Sequence, residues 1–183
     1  MILSSLYCKA QVIMSIEEYD KCKSTTCGQT TDYIKDINGT FNKYLGRWKG
    51  TDDNKTYEVI VTKTTRSRNI ANIRIVKFDA LLIRYKITDS KGKVLVDTRS
   101  LQDDNQYVIY GLGFTKEGTY KLGFIGTDNN IANVGTVLIG INNGKLGIFF
   151  YPNRLMSPDG LRNYFPDRPY TFPIEKSIYL TKQ

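Results

Sequence analysis

The chain has 183 residues, of which 40% are hydrophobic and 24% charged, with a formal net charge of +8. This length and apolar content predict one folded domain and exclude an intrinsically disordered protein. Because the chain has no histidine, Ser-His and Cys-His nucleophile pairs are excluded, and we predict no enzyme activity, no metal site and no cofactor.

The N-terminal stretch "MILSSLYCKAQ" is typical of the end of a secretory signal, with an apolar start and a cleavage point after Ala10. We predict that residues 1–10 are a signal-peptide remnant and that the mature protein begins near Gln11. The protein would then be exported, to the periplasm, the outer membrane or the medium. A lipidated Cys8 and an ordinary N-terminal arm are the alternatives.

Two cysteines remain after that cleavage, Cys22 and Cys27. An even pair in an oxidising compartment predicts a disulfide that closes a short loop, with two free thiols as the alternative. Their spacing is not that of a zinc site, and the chain offers no histidine to complete one.

Residues 11–43 are polar and irregular, and we predict an N-terminal arm there. Ser15 and Glu18 have the spacing of a capping box, in which each residue caps the backbone of the other. This pair predicts a short helix near residues 15–23.

Residues 44–183 predict a single all-β domain, because short alternating segments are separated by turn residues with no helical pattern between them. Asn143-Gly144 predicts a two-residue hairpin turn. Glycines recur inside the segments and mark bulges or bends, which favours an antiparallel lipocalin-like barrel over the alternative, a β-sandwich. The predicted strands cover residues 56–64, 72–78, 80–88, 94–100, 106–114, 118–126, 134–141, 145–151 and 174–182.

The segment from residue 152 to residue 173 contains all five prolines of the chain. Proline lacks the ladder N–H, so this segment cannot be an interior strand. We predict that it lies over one end or edge of the β-structure and guards a ligand site. The alternative is a cover that only shields a sheet edge. Its candidate ligand-binding residues are Arg154, Arg162, Tyr164, Phe165 and Arg168, the arginines being suited to an anionic head group.

Two stretches, "YIKDINGTFNKYLGRWKGT" and "FPIEKSIYLTKQ", together with "CKAQ", resemble a family of exported proteins of unknown function from Bacteroidota. The resemblance spans most of the chain. It implies an exported protein, and it implies no activity or ligand.

Gly46-Arg47-Trp48 also resembles the Gly-x-Trp signature that opens the first strand of lipocalins and fatty-acid-binding proteins. The resemblance implies a structural role for Gly46 and Trp48, with the tryptophan near the barrel end under an arginine from the last strand. The last predicted strand here contains Lys176 and Lys182 and no arginine. We therefore predict a buried Trp48 under an arginine from residues 154–168.

Two functions fit these features. The first is an exported, non-catalytic protein that carries a small apolar or anionic ligand in a lipocalin-like barrel. The alternative is a cell-envelope module that binds a protein or a glycan through an aromatic surface, since tyrosine suits such surfaces. We predict a monomer with no membrane span and no nucleic-acid partner, because the basic residues are dispersed along the chain.

Overall fold

A computed structural model describes residues 10–22, 30–70, 74–115, 117–127, 133–153, 155–156, 162–163, 170–174 and 176–183. One helix, α1, spans Ile16–Lys21. The strands are β1 Ile13–Ser15, β2 Tyr33–Lys35, β3 Gly46–Asp52, β4 Lys55–Ile70, β5 Arg74–Thr88, β6 Val94–Asp97, β7 Ile109–Phe114, β8 Tyr120–Ile125, β9 Val134–Asn142, β10 Lys145–Pro152, β11 Leu155–Met156, β12 Arg162–Asn163 and β13 Ile178–Lys182.

The protein is all-β and is built around a closed antiparallel barrel of eight strands. Around the barrel the order is β5-β4-β3-β13-β10-β9-β8-β7, and a short β5–β7 pairing closes the circle. The last strand of the chain therefore lies between β3 and β10. The predicted lipocalin-like barrel is confirmed, in preference to the sandwich.

The predicted Asn143-Gly144 hairpin turn is confirmed, and a second hairpin turn has the same backbone. At the β9–β10 turn, Asn143 and Gly144 have φ angles of 49° and 72°. At the β3–β4 turn, Asp53 and Asn54 have φ angles of 44° and 59°. Positive φ at both central residues is the type I′ requirement, and this turn matches the right-handed twist of paired strands.

The described residues of the predicted strands 72–78 and 80–88 form one strand, β5, from Arg74 to Thr88. Asp79 breaks the apolar pattern between them, which is why the sequence reads as two segments. The aspartate is nevertheless buried within the strand, because hydrogen-bond donors satisfy its carboxylate.

The chain divides into two compact units. One comprises the residues up to Thr40 together with Thr65–Asp79, and the other comprises Phe41–Thr64 and Ala80–Gln183. Thr65–Asp79, from β4 and β5, group with the N-terminal residues. The division into an arm of residues 11–43 and a barrel domain of residues 44–183 stays a prediction.

Within the N-terminal unit, α1 begins at Ser15 with the predicted capping box. The Ser15 side chain accepts from the Glu18 backbone N–H at 3.2 Å, and the Glu18 carboxylate accepts from the Ser15 backbone N–H at 3.0 Å. The sequence pattern missed β1 and β2, which pair in parallel, and β2 continues in parallel onto β5. Three-residue strands are too short to show an alternation.

No helix in the described part of the chain is long and apolar enough to cross a membrane.

Candidate functional site

One end of the barrel is organised around the Gly-x-Trp stretch of β3. Trp48 is 3% exposed, and its indole N–H donates to the Tyr44 carbonyl at 2.8 Å. The Lys182 ammonium lies 5.5 Å from the centre of the indole ring, within cation–π range. The structure thus places Lys182, a lysine of the last strand, where the resemblance to lipocalins and fatty-acid-binding proteins implies an arginine.

Gly46 is required at this end for two reasons. Its φ of +120° is a conformation that side-chain-bearing residues rarely adopt. A Cβ at this position would also lie 3.1 Å from the Cε of Lys182, so the glycine leaves room for the lysine stem. Gly46, Trp48 and Lys182 therefore form one structural unit, which we call the tryptophan end.

Aromatic side chains of the described residues pack inside the barrel in two groups. Near the tryptophan end, the Tyr120 ring lies 5.1 Å from the Phe41 ring and 4.8 Å from the Phe114 ring, measured between centroids. The second group contains Tyr57, Tyr85, Phe124, Phe150 and Phe172, with neighbouring ring centroids 5.0–6.2 Å apart. All members of the second group are at most 1% exposed.

Phe172 comes from the end of the proline-rich segment and is the residue that sequence reasoning missed. Its ring contacts Tyr85 at 5.2 Å and Phe124 at 5.5 Å, so this part of the segment closes the barrel from within. Tyr164 and Phe165, the aromatic residues of this segment that the sequence predicts to bind a ligand, lie outside the described residues. The signal for Phe172 was available, since it is an aromatic residue directly before the last proline.

The other predicted ligand-binding residues are not brought together by the described part of the structure. Arg154 and Arg168 lie outside the described residues. Arg162 is described only in its backbone, as part of β12, which pairs with β11 in a separate two-stranded sheet. The ligand-gate hypothesis for this segment therefore stays a prediction.

Two clefts lie in the described barrel unit. The first has a volume of about 210 Å³ and is lined by Arg47, Trp48, Lys49, Glu58, Val59, Ile60, Arg99 and Gln183. The second has a volume of about 240 Å³ and is lined by Lys55, Ile87, Leu95, Val96, Thr127, Asn133, Tyr170 and Thr171. Both are smaller than the roughly 300–1,000 Å³ of typical small-molecule pockets.

The first cleft contains cations that are already paired. Arg99 contacts Glu58 at 2.8 Å and Asp97 at 2.8 Å, and Lys49 lies 3.6 Å from Glu58. The hydrogen bond from Arg99 lowers the pKa of Asp97, so this carboxylate stays ionised and holds the guanidinium. An anionic ligand in this cleft would have to compete with these carboxylates for the same cations.

In the N-terminal unit, the buried carboxylate of Asp79 is the main polar feature. It accepts hydrogen bonds from the Tyr33 hydroxyl at 2.7 Å, the Thr65 hydroxyl at 2.9 Å and the Asp36 backbone N–H at 3.0 Å. Burial and the bond to Asp79 raise the pKa of Tyr33, so its phenol stays protonated and acts as a donor, not as a base. The cluster joins β2, β4 and β5 and has a structural role.

The outer wall of the barrel carries exposed tyrosines. Tyr179 is 50% exposed, Tyr151 is 45% exposed and Tyr110 is 36% exposed. Strand alternation places Phe149 and Ile125 on the same outer surface, since their neighbours Phe150 and Phe124 are buried. We call Tyr110, Ile125, Phe149, Tyr151 and Tyr179 the tyrosine face.

Glycines lie beneath two of these tyrosines. A Cβ on Gly123 would lie 2.8 Å from the Cζ of Tyr110, and a Cβ on Gly147 would lie 3.3 Å from the Cε1 of Tyr179. Each tyrosine therefore lies across a glycine of the neighbouring strand. This arrangement covers the bare backbone while it leaves part of each ring open to a partner.

Cys22 is disulfide-bonded. Cys27 lies outside the described residues, so the predicted Cys22–Cys27 pairing stays a prediction. In the part of the chain that the structure describes, no three Cys, Asp or Glu residues group in a way that could hold a metal ion.

The buried Tyr57 makes the barrel sensitive to high pH. Burial, and then the nearby Asp52 and Asp53 carboxylates, raise the pKa of Tyr57 from 10.0 to about 12. A raised folded-state pKa means that the stabilisation is complete below pH 10 and is lost as the pH rises to about 12. We expect the free energy of unfolding to fall by about 2–3 kcal/mol over this window.

Urea unfolding of the wild type and of Tyr57→Phe, below pH 10 and near pH 12, tests this expectation. The variant should lose less stability than the wild type across the window. Burial also raises the pKa of Tyr44, so some decline remains in both proteins. Equal losses in the two proteins would show that Tyr57 does not carry the effect.

Searches with this chain matched no protein-family model, no curated protein and no solved structure.

Proposed function

We propose that this chain is an exported, non-catalytic binding protein that recognises its partner on the outer wall of the barrel and not in the interior. The observation that supports this most directly is the packing of aromatic rings inside the barrel. Rings from β4, β5, β8 and β10 and from Phe172 meet in the space that a carried ligand would need.

The tyrosine face supports the same proposal from outside. Tyrosine combines an apolar ring with a hydrogen-bonding hydroxyl, which suits contact surfaces that are wet in the free protein and dry in the complex. Exposed aromatic residues grouped on one wall are typical of interaction sites, whereas scattered single residues are not. Tyr151 and Tyr179 lie on neighbouring strands of one wall, β10 and β13.

Export is supported by the disulfide at Cys22, because stable disulfides form mainly in oxidising compartments. The "CKAQ" boundary points in the same direction. An envelope or extracellular component is therefore the partner that we propose.

Hydroxyl-radical footprinting in the presence of cell-envelope fragments from the organism of origin tests the proposal. We expect the oxidation of Tyr151 and Tyr179 to fall several-fold when fragments are added, because the partner would cover their rings. Leu95, which is 49% exposed on β6, is the matched control and should be oxidised equally in both samples.

Unchanged oxidation of both tyrosines would contradict a site on this wall. Native mass spectrometry of the same preparation provides the second readout. An apolar molecule that stays bound through purification would support the interior carrier instead.

A further inference from the structure

Gly140, in the middle of β9, is a strand glycine with open space above it. Its φ is not in the left-handed region, and a Cβ added there would meet no atom of the described residues within 4 Å. Gly111, Gly123 and Gly147 differ, because a tyrosine side chain occupies the space above each. Glycine weakens a strand interior, and β9 pairs with both neighbours without a register shift, so Gly140 does not mark a bulge. Its open position leaves room for the close approach of another molecule.

The surroundings of Gly140 form a shallow depression on the outer wall. Gly140 pairs with Gly147 on β10, and Gly147 pairs with Tyr179 on β13. Two residues away on each strand, Leu138 and Phe149 form an apolar border on one side. Asn142 and Lys145 form a polar border on the other. We call Gly140, Gly147 and these borders the glycine dish.

The dish has the chemistry of a sugar site. Its floor is bare backbone at Gly140, with the Tyr179 ring over Gly147 beside it. The flanking residues Leu138 and Asn142 are about 13 Å apart along β9, which leaves room for one six-membered ring. A sugar ring has an apolar C–H face and a rim of hydroxyls. Tyr179 offers a half-exposed ring to the C–H face, and Asn142 offers amide groups to the hydroxyls.

The charge of this wall favours acidic sugars over neutral ones. β8, β9, β10 and β13, which are described in full, contain no aspartate or glutamate. Alternation places Lys121 and Lys145 on their outer side, and both are exposed. A wall with cations and no carboxylates attracts anions and favours a carboxylate or sulfate over a neutral ligand.

We propose that the glycine dish is a subsite for an acidic carbohydrate, whose ring lies against Gly140 and Tyr179 and whose carboxylate or sulfate is bound by Lys145. This inference rests on the proposed function, since it gives the chemistry of the partner on the outer wall. A protein partner fits the dish less well, because protein interfaces depend on large side chains that fill pockets, and this floor is open and flat.

Titration calorimetry with an oligogalacturonate tetramer and a heparin tetrasaccharide tests the inference, with a neutral galactose tetramer as the ligand control. Gly140→Val fills the dish, and we expect it to weaken binding of the preferred acidic tetramer by about tenfold or more. Its melting temperature should stay equal or rise by about 1–4 °C, because valine suits a strand better than glycine.

Two further variants keep the test specific. Lys145→Gln should weaken acidic binding and make the remaining binding less sensitive to salt. Thr136→Val places a valine on the same strand and face, two residues beyond Leu138, and should bind like the wild type. Binding by Gly140→Val that equals the wild type would overturn the subsite, as would the absence of acidic binding by the wild type.

The footprinting experiment distinguishes failure of the sugar subsite from failure of the proposed function on the outer wall. Tyr151 and Tyr179 protection that survives glycan digestion of the fragments but not protease digestion would assign a protein partner and overturn the acidic-sugar subsite alone. Absence of any protection would overturn the outer-wall proposal and the subsite with it. Protection lost only on glycan digestion would support both.

Discussion

Replacing Trp48 with alanine is expected to lower the free energy of unfolding by about 3–5 kcal/mol, a large part of the stability of a domain of this size. The indole is almost completely buried, and its N–H has a buried partner in the Tyr44 carbonyl. Truncation would leave a cavity, an unpaired carbonyl and an uncovered Lys182. Urea unfolding followed by circular dichroism measures the loss.

The neighbouring Arg47→Ala is the matched control for Trp48→Ala, because Arg47 is exposed on the same strand and should change the stability by less than about 0.5 kcal/mol. Lys182→Ala should be intermediate, since a cation–π contact contributes about 0.5–1 kcal/mol at exposed sites. A loss below about 1 kcal/mol for Trp48→Ala would show that the tryptophan end does not anchor the barrel.

Phe172→Ala is expected to cost a similar amount, about 3–5 kcal/mol, because the ring is 1% exposed within the second aromatic group. The residue lies outside every strand, so its effect would come from side-chain burial and not from the loss of a sheet pairing. The change would also open a cavity at the end of the barrel. Thermal and urea unfolding measure the loss.

Thr171→Ala is the control for Phe172→Ala. Thr171 donates its backbone N–H to the Asn133 side chain at 2.8 Å, and this bond remains when the side chain is shortened. The control should stay within about 0.5 kcal/mol of the wild type. If Phe172→Ala were equally mild, the segment would cover the barrel without filling it.

Local patterns predicted much of the fold. The Ser15–Glu18 spacing predicted the helix start, and Asn143-Gly144 predicted a hairpin with positive φ at both residues. These features depend on a few neighbouring residues, whose chemistry alone sets the backbone. The barrel itself followed from regular strand spacing and from interior glycines.

Contacts between distant segments could not be predicted in the same way. Nothing local in the sequence indicates that Lys182 covers Trp48, because the pairing of β13 with β3 joins the two ends of the barrel unit. Asp79 is similar, since its donors come from three separate segments. A buried carboxylate inside a strand becomes intelligible only when those donors are in place.

The candidate site illustrates a further limit of the sequence. Alternation along β9 and β10 shows that two faces exist, but it does not say which glycines lie under a neighbouring side chain. The sequence predicts a bend or bulge equally at Gly111, Gly123, Gly126, Gly140 and Gly147. Only the structure separates Gly140 from Gly111, Gly123 and Gly147, which lie under tyrosine side chains. The tyrosines likewise divide into buried core residues and exposed wall residues only once the barrel closes.

The inner and outer faces of the barrel wall have different roles. Buried rings on the inside stabilise the barrel, and the outer side carries aromatic and cationic groups for a partner. A lipocalin-like fold therefore does not by itself imply a carried ligand, because function depends on the site and not on the architecture.

Methyl NMR of β9 tests this division most directly, because the adjacent residues Leu138 and Ile139 point to opposite faces of the wall. Leu138 is partly exposed and Ile139 is fully buried. On titration with the acidic tetramer that binds, we predict shifts of the Leu138 methyls while the Ile139 and Val137 methyl signals stay in place. We predict that palmitate shifts neither Ile139 nor Val137. Saturable shifts of Ile139 and Ile148 with palmitate, and none at Leu138 with any acidic tetramer, would contradict the account.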